Sequence, residues 1–239
     1  MNKYIVFIAL NLFLGSNLHG QDRWSLFIDH ESNRNFRKSL ASTLSGAEVL
    51  SLADSLERPA YGYGVELGLS RELDRMAFSI GVRYAVDGFK TGLEKAGITY
   101  GSSFISSSGI IESRSEYRFH SISIPLRWRL YPFQNKGVFF QLGGGYSTIV
   151  RHLEDYFVLR QLNEVVEDTY HRSYQISHSV FFQSVGLGYS FGREDRIQYD
   201  VILGYNRLAG NEISITPTNG WVQYQLYSLG ATFRLRFLF

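Results

Sequence analysis

The sequence predicts an all-β protein, a closed antiparallel barrel of eight up-and-down strands that crosses a membrane. Three observations predict this fold class. Apolar and polar residues alternate with period two in eight segments, the pattern of strands with one apolar face. Short and long connections between these segments alternate strictly along the chain. The face opposite the apolar one carries small or charged residues, which cannot form an oily core.

The composition agrees with a β fold and excludes several classes of protein. The 239 residues are 44% hydrophobic and 19% charged, so disorder is not expected. Their 18 Phe, 16 Tyr and 23 Gly favour strands and tight turns. A formal charge of +2 without a basic run gives no reason to expect nucleic acid as a partner. Cysteine is absent, which excludes disulfides, Cys-ligated zinc and a thiol nucleophile, and we predict no metal and no cofactor.

Residues 1–20 have the three parts of a cleavable secretory signal. Lys3 supplies a positive charge, residues 5–14 are apolar, and small residues follow. We predict cleavage after residue 20, which leaves residues 21–239 as one exported barrel domain. A membrane-spanning helix is the rival interpretation, but it needs about 20 apolar residues, and Asn11 interrupts this run.

The strands follow one another with clear boundaries. They cover about residues 22–30, 61–71, 76–88, 117–131, 138–151, 174–191, 197–208 and 221–239. The third has the clearest alternation, since Met76, Phe78 and Ile80 face away from Ala77 and Ser79. In the sixth the alternation is unclear around residues 181–182, where we predict a β-bulge. Strands two and three, four and five, and six and seven are joined by a few residues, so these turns share one side, the periplasm, with both termini.

The last strand indicates which face meets lipid. Phe233, Leu235 and Phe237 alternate with Arg234 and Arg236. Turning the arginines outward would cost about 2 to 4 kcal/mol each near the bilayer midplane. The space inside an eight-stranded barrel is also too narrow for the aromatic face. We therefore predict that the apolar face points outward into acyl chains.

Charged residues of the inward face predict a filled barrel. In so narrow an interior, arginines and carboxylates are expected to pair and leave no water column. The alternative is a narrow channel, which the arginines would make anion-selective. The predicted interior charge network is Glu66, Arg83, Arg127, Arg129, Asp200, Arg234 and Arg236.

Outward aromatic residues collect near the predicted strand ends, as in the two interfacial girdles of membrane barrels. The alternative is that aromatic residues simply favour strands. The predicted girdle comprises Trp24, Trp128, Tyr131, Tyr189 and Phe191 at the periplasmic side and Trp221 at the outer side.

With its export signal, strand pattern and terminal phenylalanine, the segment 21–239 resembles the small eight-stranded outer-membrane barrels. These are the OmpA- and OmpX-like proteins and the Bacteroidota outer-membrane β-barrel domain family that includes PorT-like proteins. The resemblance implies an outer-membrane location and a monomer that contacts outer-membrane lipid and lipopolysaccharide. It implies a structural, adhesive or assembly and secretion-accessory role. It also implies a C-terminal signal for the outer-membrane assembly machinery, formed by Gly230, Phe233, Leu235, Phe237 and Phe239.

An enzymatic role is the main alternative to a structural or adhesive one. Some barrels of this size modify lipid A, as acyltransferases or deacylases, with a His, a Ser and a carboxylate near a strand end. His171 and Ser173 share a strand face, and Glu167 or Asp168 could orient the imidazole. His178 with a neighbouring hydroxyl is a second candidate. In a chain with six His and abundant Ser, such spacings also arise by chance.

Two further segments carry competing interpretations. Residues 143–145 are three glycines, but no helix start follows as in a phosphate-binding loop, and we expect them to make room for a large interior neighbour. In residues 36–58 the leucines recur at mostly helical spacing before Pro59, which predicts a surface or lid helix over the barrel mouth, with a partner-binding helix as the alternative. The links 88–116 and 152–173 are polar enough for β-extensions or flexible loops, where binding would occur.

Overall fold

The computed structural model describes most of the predicted barrel domain. The predicted signal, residues 1–20, lies outside the described residues, and so does Trp221. The described residues are 23–42, 57–91, 94–102, 105–133, 137–161, 164–174, 178–193, 196–209, 213–215 and 222–239.

The described residues form strands connected in an antiparallel order. In chain order they are β1 (Arg23–Ser42), β2 (Glu57–Leu73), β3 (Met76–Thr91), β4 (Glu94–Ser102), β5 (Ile105–Leu130), β6 (Val138–Gln161), β7 (Glu164–Tyr174), β8 (His178–Arg193), β9 (Ile197–Ala209), β10 (Ile213–Ile215) and β11 (Val222–Leu238). Within these ranges, no helix has the length and hydropathy needed to cross a membrane.

Eight of these strands close into a barrel. The sequence of neighbours is β1, β2, β3, β5, β6, β8, β9 and β11, and all pairs are antiparallel. The last strand pairs with the first, with Ile28 opposite Leu235, so the sheet has no free edge around the barrel. This confirms the predicted closed eight-stranded up-and-down fold.

The strands continue much further at one end of the barrel than at the other. At the short-turn end, β2 turns into β3 through Asp74 and Arg75. Gly192 at the same end has a φ of 117°, a left-handed conformation that favours glycine. At the other end, here called the extended end, β5 and β6 remain paired as far as Glu112 and Arg160. The strands β4, β7 and β10 pair with β5, β6 and β11 there.

Several predictions about local structure were wrong. The predicted helix over 36–58 does not form in its described parts, because β1 continues to Ser42 and β2 begins at Glu57. Residues 43–56 lie outside the described part. The predicted bulge at 181–182 is also absent: Phe181 points out and Phe182 in, within a regular register.

The links 88–116 and 152–173 form β-extensions, one of the two forms predicted for them.

The outside of the barrel carries a continuous apolar belt. Its members are aliphatic and aromatic side chains that are about half exposed. Soluble proteins rarely expose a continuous apolar surface of this extent, whereas a membrane barrel requires one. We define the belt by Leu67, Leu69, Val82, Tyr84, Ile122, Ile124, Leu142, Val150, Val185, Leu187, Val201, Leu203 and Phe233.

The interior accommodates more aromatic rings than the sequence predicts. Phe27, Phe139 and Phe182 all point inward and are buried. Each ring lies beside a glycine of a neighbouring strand: a Cβ added to Gly145, for instance, would lie 2.8 Å from Cε1 of Phe182. The glycines in 143–145 therefore provide space for an interior neighbour, as predicted.

Candidate functional site

A network of buried charges occupies the middle of the barrel, and Asp200 lies at its centre. One oxygen of Asp200 accepts a hydrogen bond from Nη1 of Arg129 at 2.6 Å. The other accepts from Nη2 of Arg236 at 2.9 Å and from Oγ of Ser190 at 2.8 Å. Arg236 also donates to Glu72. Each carboxylate therefore faces a guanidinium, which offsets the cost of burying both.

A second ion pair joins the first and last strands across the barrel seam. Arg234 donates from Nε and Nη2 to the two oxygens of Asp29, at 2.5 and 2.6 Å. This two-bond geometry matches the planar guanidinium to the carboxylate. The same guanidinium lies 3.8 Å from the centre of the Phe27 ring. The seam is therefore fixed by side chains as well as by the β-ladder.

Towards the extended end the network continues with two more pairs. Arg83 donates from Nε to Oε2 of Glu31 at 2.6 Å, and Arg127 donates to Glu66. Nδ2 of Asn206 donates to the other oxygen of Glu31 at 3.0 Å. Cavities of about 40 and 20 Å³ beside Glu31 and Arg127 have room for only a few water molecules each.

The structure brings together the predicted network residues and adds partners that the prediction missed. Three pairs, Arg127 with Glu66, Arg129 with Asp200 and Arg236 with Asp200, join predicted members. The missed partners are Asp29, Glu31 and Glu72. The sequence could have identified these three as inward-facing residues. Asp29 and Glu31 alternate with apolar Ile28, and Glu72 continues the inward-facing series of β2.

Apolar layers close the network at both ends. At the short-turn end, Tyr131 and Phe139 pack with Ala77 and Ile202. At the extended end, the layer consists of Phe89, Phe119, Ile149 and Leu226. The side chains of both layers are almost inaccessible to solvent.

A buried histidine belongs to the apolar layer at the extended end. The ring of His152 stacks on Phe119 at 4.8 Å and on Tyr117 at 5.8 Å between ring centres. This position lies beyond the apolar belt. Desolvation by burial lowers the pKa of His152 to about 4, so the imidazole is neutral at neutral pH.

The described residues of the predicted girdle do not all face outward. Trp128, Tyr189 and Phe191 are exposed among belt residues, and Trp24 lies 5.6 Å beneath the guanidinium of Arg71. Tyr131 was predicted wrongly: it is only 1% exposed, and its hydroxyl donates to Glu72. The reason is parity, since Tyr131 follows Leu130 and therefore points to the same side as Arg129.

The residues of the predicted C-terminal signal lie at the seam. Phe233, Phe237 and Phe239 point outward, Leu235 is half-buried, and Gly230 approaches Asn33 of β1 closely. The backbone N–H of Phe239 donates to the carbonyl of Trp24 at 2.9 Å. The terminal residue is thus held in the closed sheet.

The candidate residues of the enzymatic alternative have other partners. Nδ1 of His171 lies 2.7 Å from Oδ1 of Asp155 rather than beside the candidate Asp168. Ser173 accepts a hydrogen bond from Nε of Arg151 at 3.1 Å. Desolvation works to raise the pKa of Asp155, but hydrogen bonds from His171 and Arg118 outweigh it and lower this pKa. The side chains of Glu167 and His178 lie outside the described residues.

No protein-family model matches the chain, and no curated protein matches it. Among solved structures it is similar to Neisserial surface protein A, with 15% identity and a TM-score of 0.37 over 88% of this chain and 95% of that one. It is also similar to the N-terminal β-barrel domain of Pseudomonas aeruginosa OprF, with 11% identity and a TM-score of 0.36 over 92% and 100%. The outer membrane protease OmpT from Escherichia coli gives 11% identity and a TM-score of 0.40 over 94% and 99%. Since these TM-scores are below 0.5, the fold rests on the strand pairings themselves.

Proposed function

We propose that this chain is a monomeric integral outer-membrane protein whose barrel is an anchor and whose extended end performs its biological role. That role is structural, adhesive, or accessory to assembly or secretion. The observation that carries the proposal is the filled interior: paired charges lie between two apolar layers, while the outside is an apolar belt. A barrel of this construction leaves its protruding strands as the surface for partners.

The belt supports the membrane part of the proposal. In a bilayer every backbone polar group must be paired within the protein, and a closed barrel satisfies this condition. Outer-membrane barrels have short periplasmic turns and longer extracellular segments. The short-turn end is accordingly assigned to the periplasm and the extended end to the cell exterior.

The test is proteolysis of intact cells followed by an adhesion assay. Trypsin added outside should cleave the extended end, for example after Arg114, and leave the turn at Arg75 intact. A variant in which residues 92–113 are replaced by a short turn should still insert but should lose adhesion or the assembly or secretion phenotype. Cleavage at Arg75 alone would reverse the orientation, and unchanged phenotypes would contradict a role for the extended end.

The filled interior also bears on the alternative of a narrow channel. Buried arginines and aromatic rings occupy the interior, and the cavities beside Glu31 and Arg127 are small. We expect a flat current trace for the purified protein in planar bilayers. Discrete conductance steps would favour the channel.

The pair of Asp155 and His171 is the one observation that favours an enzyme as a second candidate. A carboxylate that accepts from an imidazole nitrogen is the orienting half of a hydrolytic triad. His171 is exposed, however, and Ser173 bonds to Arg151. Mass spectrometry of lipid A from cells with the wild-type protein, with His171→Gln and without the gene tests this candidate. An acyl difference that follows His171 would support an enzyme acting on lipid A.

The PorT-like secretion role has its own test. Loss of secreted proteins in a deletion strain, restored by the full chain but not by the variant without residues 92–113, would support it. Normal secretion in the deletion strain would count against it.

A further inference from the structure

Three basic side chains lie on the outside of the barrel, directly beyond the apolar belt at the extended end. Along β5 the outward residues change from Ile122 to His120 and then to Arg118. Along β6 they change from Val150 to Arg151. We call Arg118, His120 and Arg151 the rim cluster. Its height places it where the acyl region of a bilayer gives way to headgroups.

A β-bulge turns Arg151 outward. The pairing of β5 with β6 shifts between Ser121 opposite Ile149 and His120 opposite Arg151, so β6 contains one extra residue. Ile149 and His152 are buried, while Val150 and Arg151 between them are both exposed. Regular alternation would have pointed Arg151 into the barrel. Bulges that redirect a side chain in this way are characteristic of functional positions.

The three groups are close enough to act together. His120 and Arg151 are direct cross-strand partners, and Arg118 lies two residues further along the same face of β5. Nδ1 of His120 lies 2.5 Å from the hydroxyl of Tyr84, a belt residue. The rim cluster is therefore tied to the lipid-facing surface.

The positive charge of the rim cluster is only partly balanced. Arg118 pairs with Asp155, which is also bonded to His171. Arg151 donates to the neutral hydroxyl of Ser173. Among the described contacts, the rim cluster thus has one carboxylate partner, Asp155, which bonds to Arg118 and not to Arg151. Guanidinium groups on neighbouring strands repel each other, and a bound anion would reduce this repulsion.

We propose that the rim cluster binds a phosphate of an outer-leaflet glycolipid whose acyl chains lie on the adjoining belt. Guanidinium groups bind phosphate through paired, charge-assisted hydrogen bonds, and Arg151 has its two terminal nitrogens free for this purpose among the described contacts. The apolar surface of Ile122, Ile124 and Val150 continues directly from the cluster, so a free phosphate would leave half of the site unused. This inference rests on the proposed outer-membrane location.

The experiment measures lipid retained by the purified full chain in phosphatidylcholine nanodiscs that contain a few per cent of lipid A. Native mass spectrometry counts the lipid A that stays bound, in parallel with dephosphorylated lipid A and with inorganic phosphate as competitor. Arg151→Gln should lower retention about tenfold, as expected for one charge-assisted contact, and Arg151→Lys should lower it less. Arg34→Gln is the matched control, because Arg34 is an exposed arginine of β1.

Each possible result either supports or overturns the proposed lipid site. Loss of retention with Arg151→Gln and with the dephosphorylated lipid, but not with Arg34→Gln, supports the proposal. Equal retention of both lipids, equal loss in both variants, or displacement by millimolar inorganic phosphate overturns it. Insertion is measured separately, by the heat-dependent gel shift in plain phosphatidylcholine. If the protein does not insert there, the proposed membrane function fails and not only the lipid site.

Discussion

Asp200→Asn is expected to be among the most damaging conservative changes in the barrel. The substitution keeps the shape of the side chain but removes its charge. Asp200 is fully buried and faces both Arg129 and Arg236. Arg236 keeps Glu72 as a counter-charge, whereas Arg129 keeps only the neutral amide of Gln141. One buried guanidinium therefore loses its counter-ion, which costs about 3 to 5 kcal/mol in free energy of unfolding.

The matched control is Asp155→Asn at the extended end. Asp155 also pairs with an arginine, but the side chain of Arg118 is 44% exposed, so water screens this pair. Exposed pairs contribute about 0 to 1 kcal/mol. Urea unfolding in lipid vesicles, followed by tryptophan fluorescence and by the gel shift of the folded barrel, measures both variants.

A second substitution separates charge from shape. Arg129→Met in the Asp200→Asn background removes the unpaired cation and leaves an apolar side chain against Phe139. In the wild-type protein, Cζ of Arg129 lies 4.4 Å from the centre of the Phe139 ring. We expect most of the lost stability to return, because apolar replacement of a whole buried pair is often neutral. The reasoning is refuted if Asp200→Asn costs less than about 1 kcal/mol, if it matches the control, or if the double variant is less stable than the single one.

Three further predictions concern packing, pH and assembly. Gly68→Ala places a Cβ 2.5 Å from Phe27 and should lower the free energy of unfolding by about 1 to 3 kcal/mol. In the control Gly204→Ala, the added Cβ meets only a carbonyl oxygen at 3.5 Å, so stability should not change. Equal urea midpoints for the two variants would contradict this prediction. Because the pKa of His152 is lowered to about 4, the unfolded chain takes up its proton first as pH falls. Stability should therefore decline from about pH 6.5 to about pH 4, less so in His152→Gln, and an imidazole NMR titration near 6.5 would disprove the shift. Phe239→Ala should lower the amount of assembled protein in cells but leave refolding into detergent unchanged, and a loss in both assays would indicate a purely structural role.

The presence of each strand, and the side of the sheet to which its residues point, could be predicted because both depend on local alternation alone. A residue two positions along a strand returns to the same face, so Leu235 and Phe237 identify the lipid side and Arg234 and Arg236 the interior. The same rule, applied strictly, would have placed Tyr131 inside. The strand ends could not be predicted in this way, since β1 continues to Ser42, into the start of the segment with helical leucine spacing, where it pairs with β11.

The sequence by itself determined an apolar outside, a charged inside and the number of barrel strands, since period-two patterning and turn spacing are local properties. Only the tertiary structure decided which arginine faces which carboxylate, such as Arg234 with Asp29 at opposite ends of the chain. It also decided that a bulge turns Arg151 outward. These features depend on register and closure, which bring distant residues together through the paired backbone of the whole barrel.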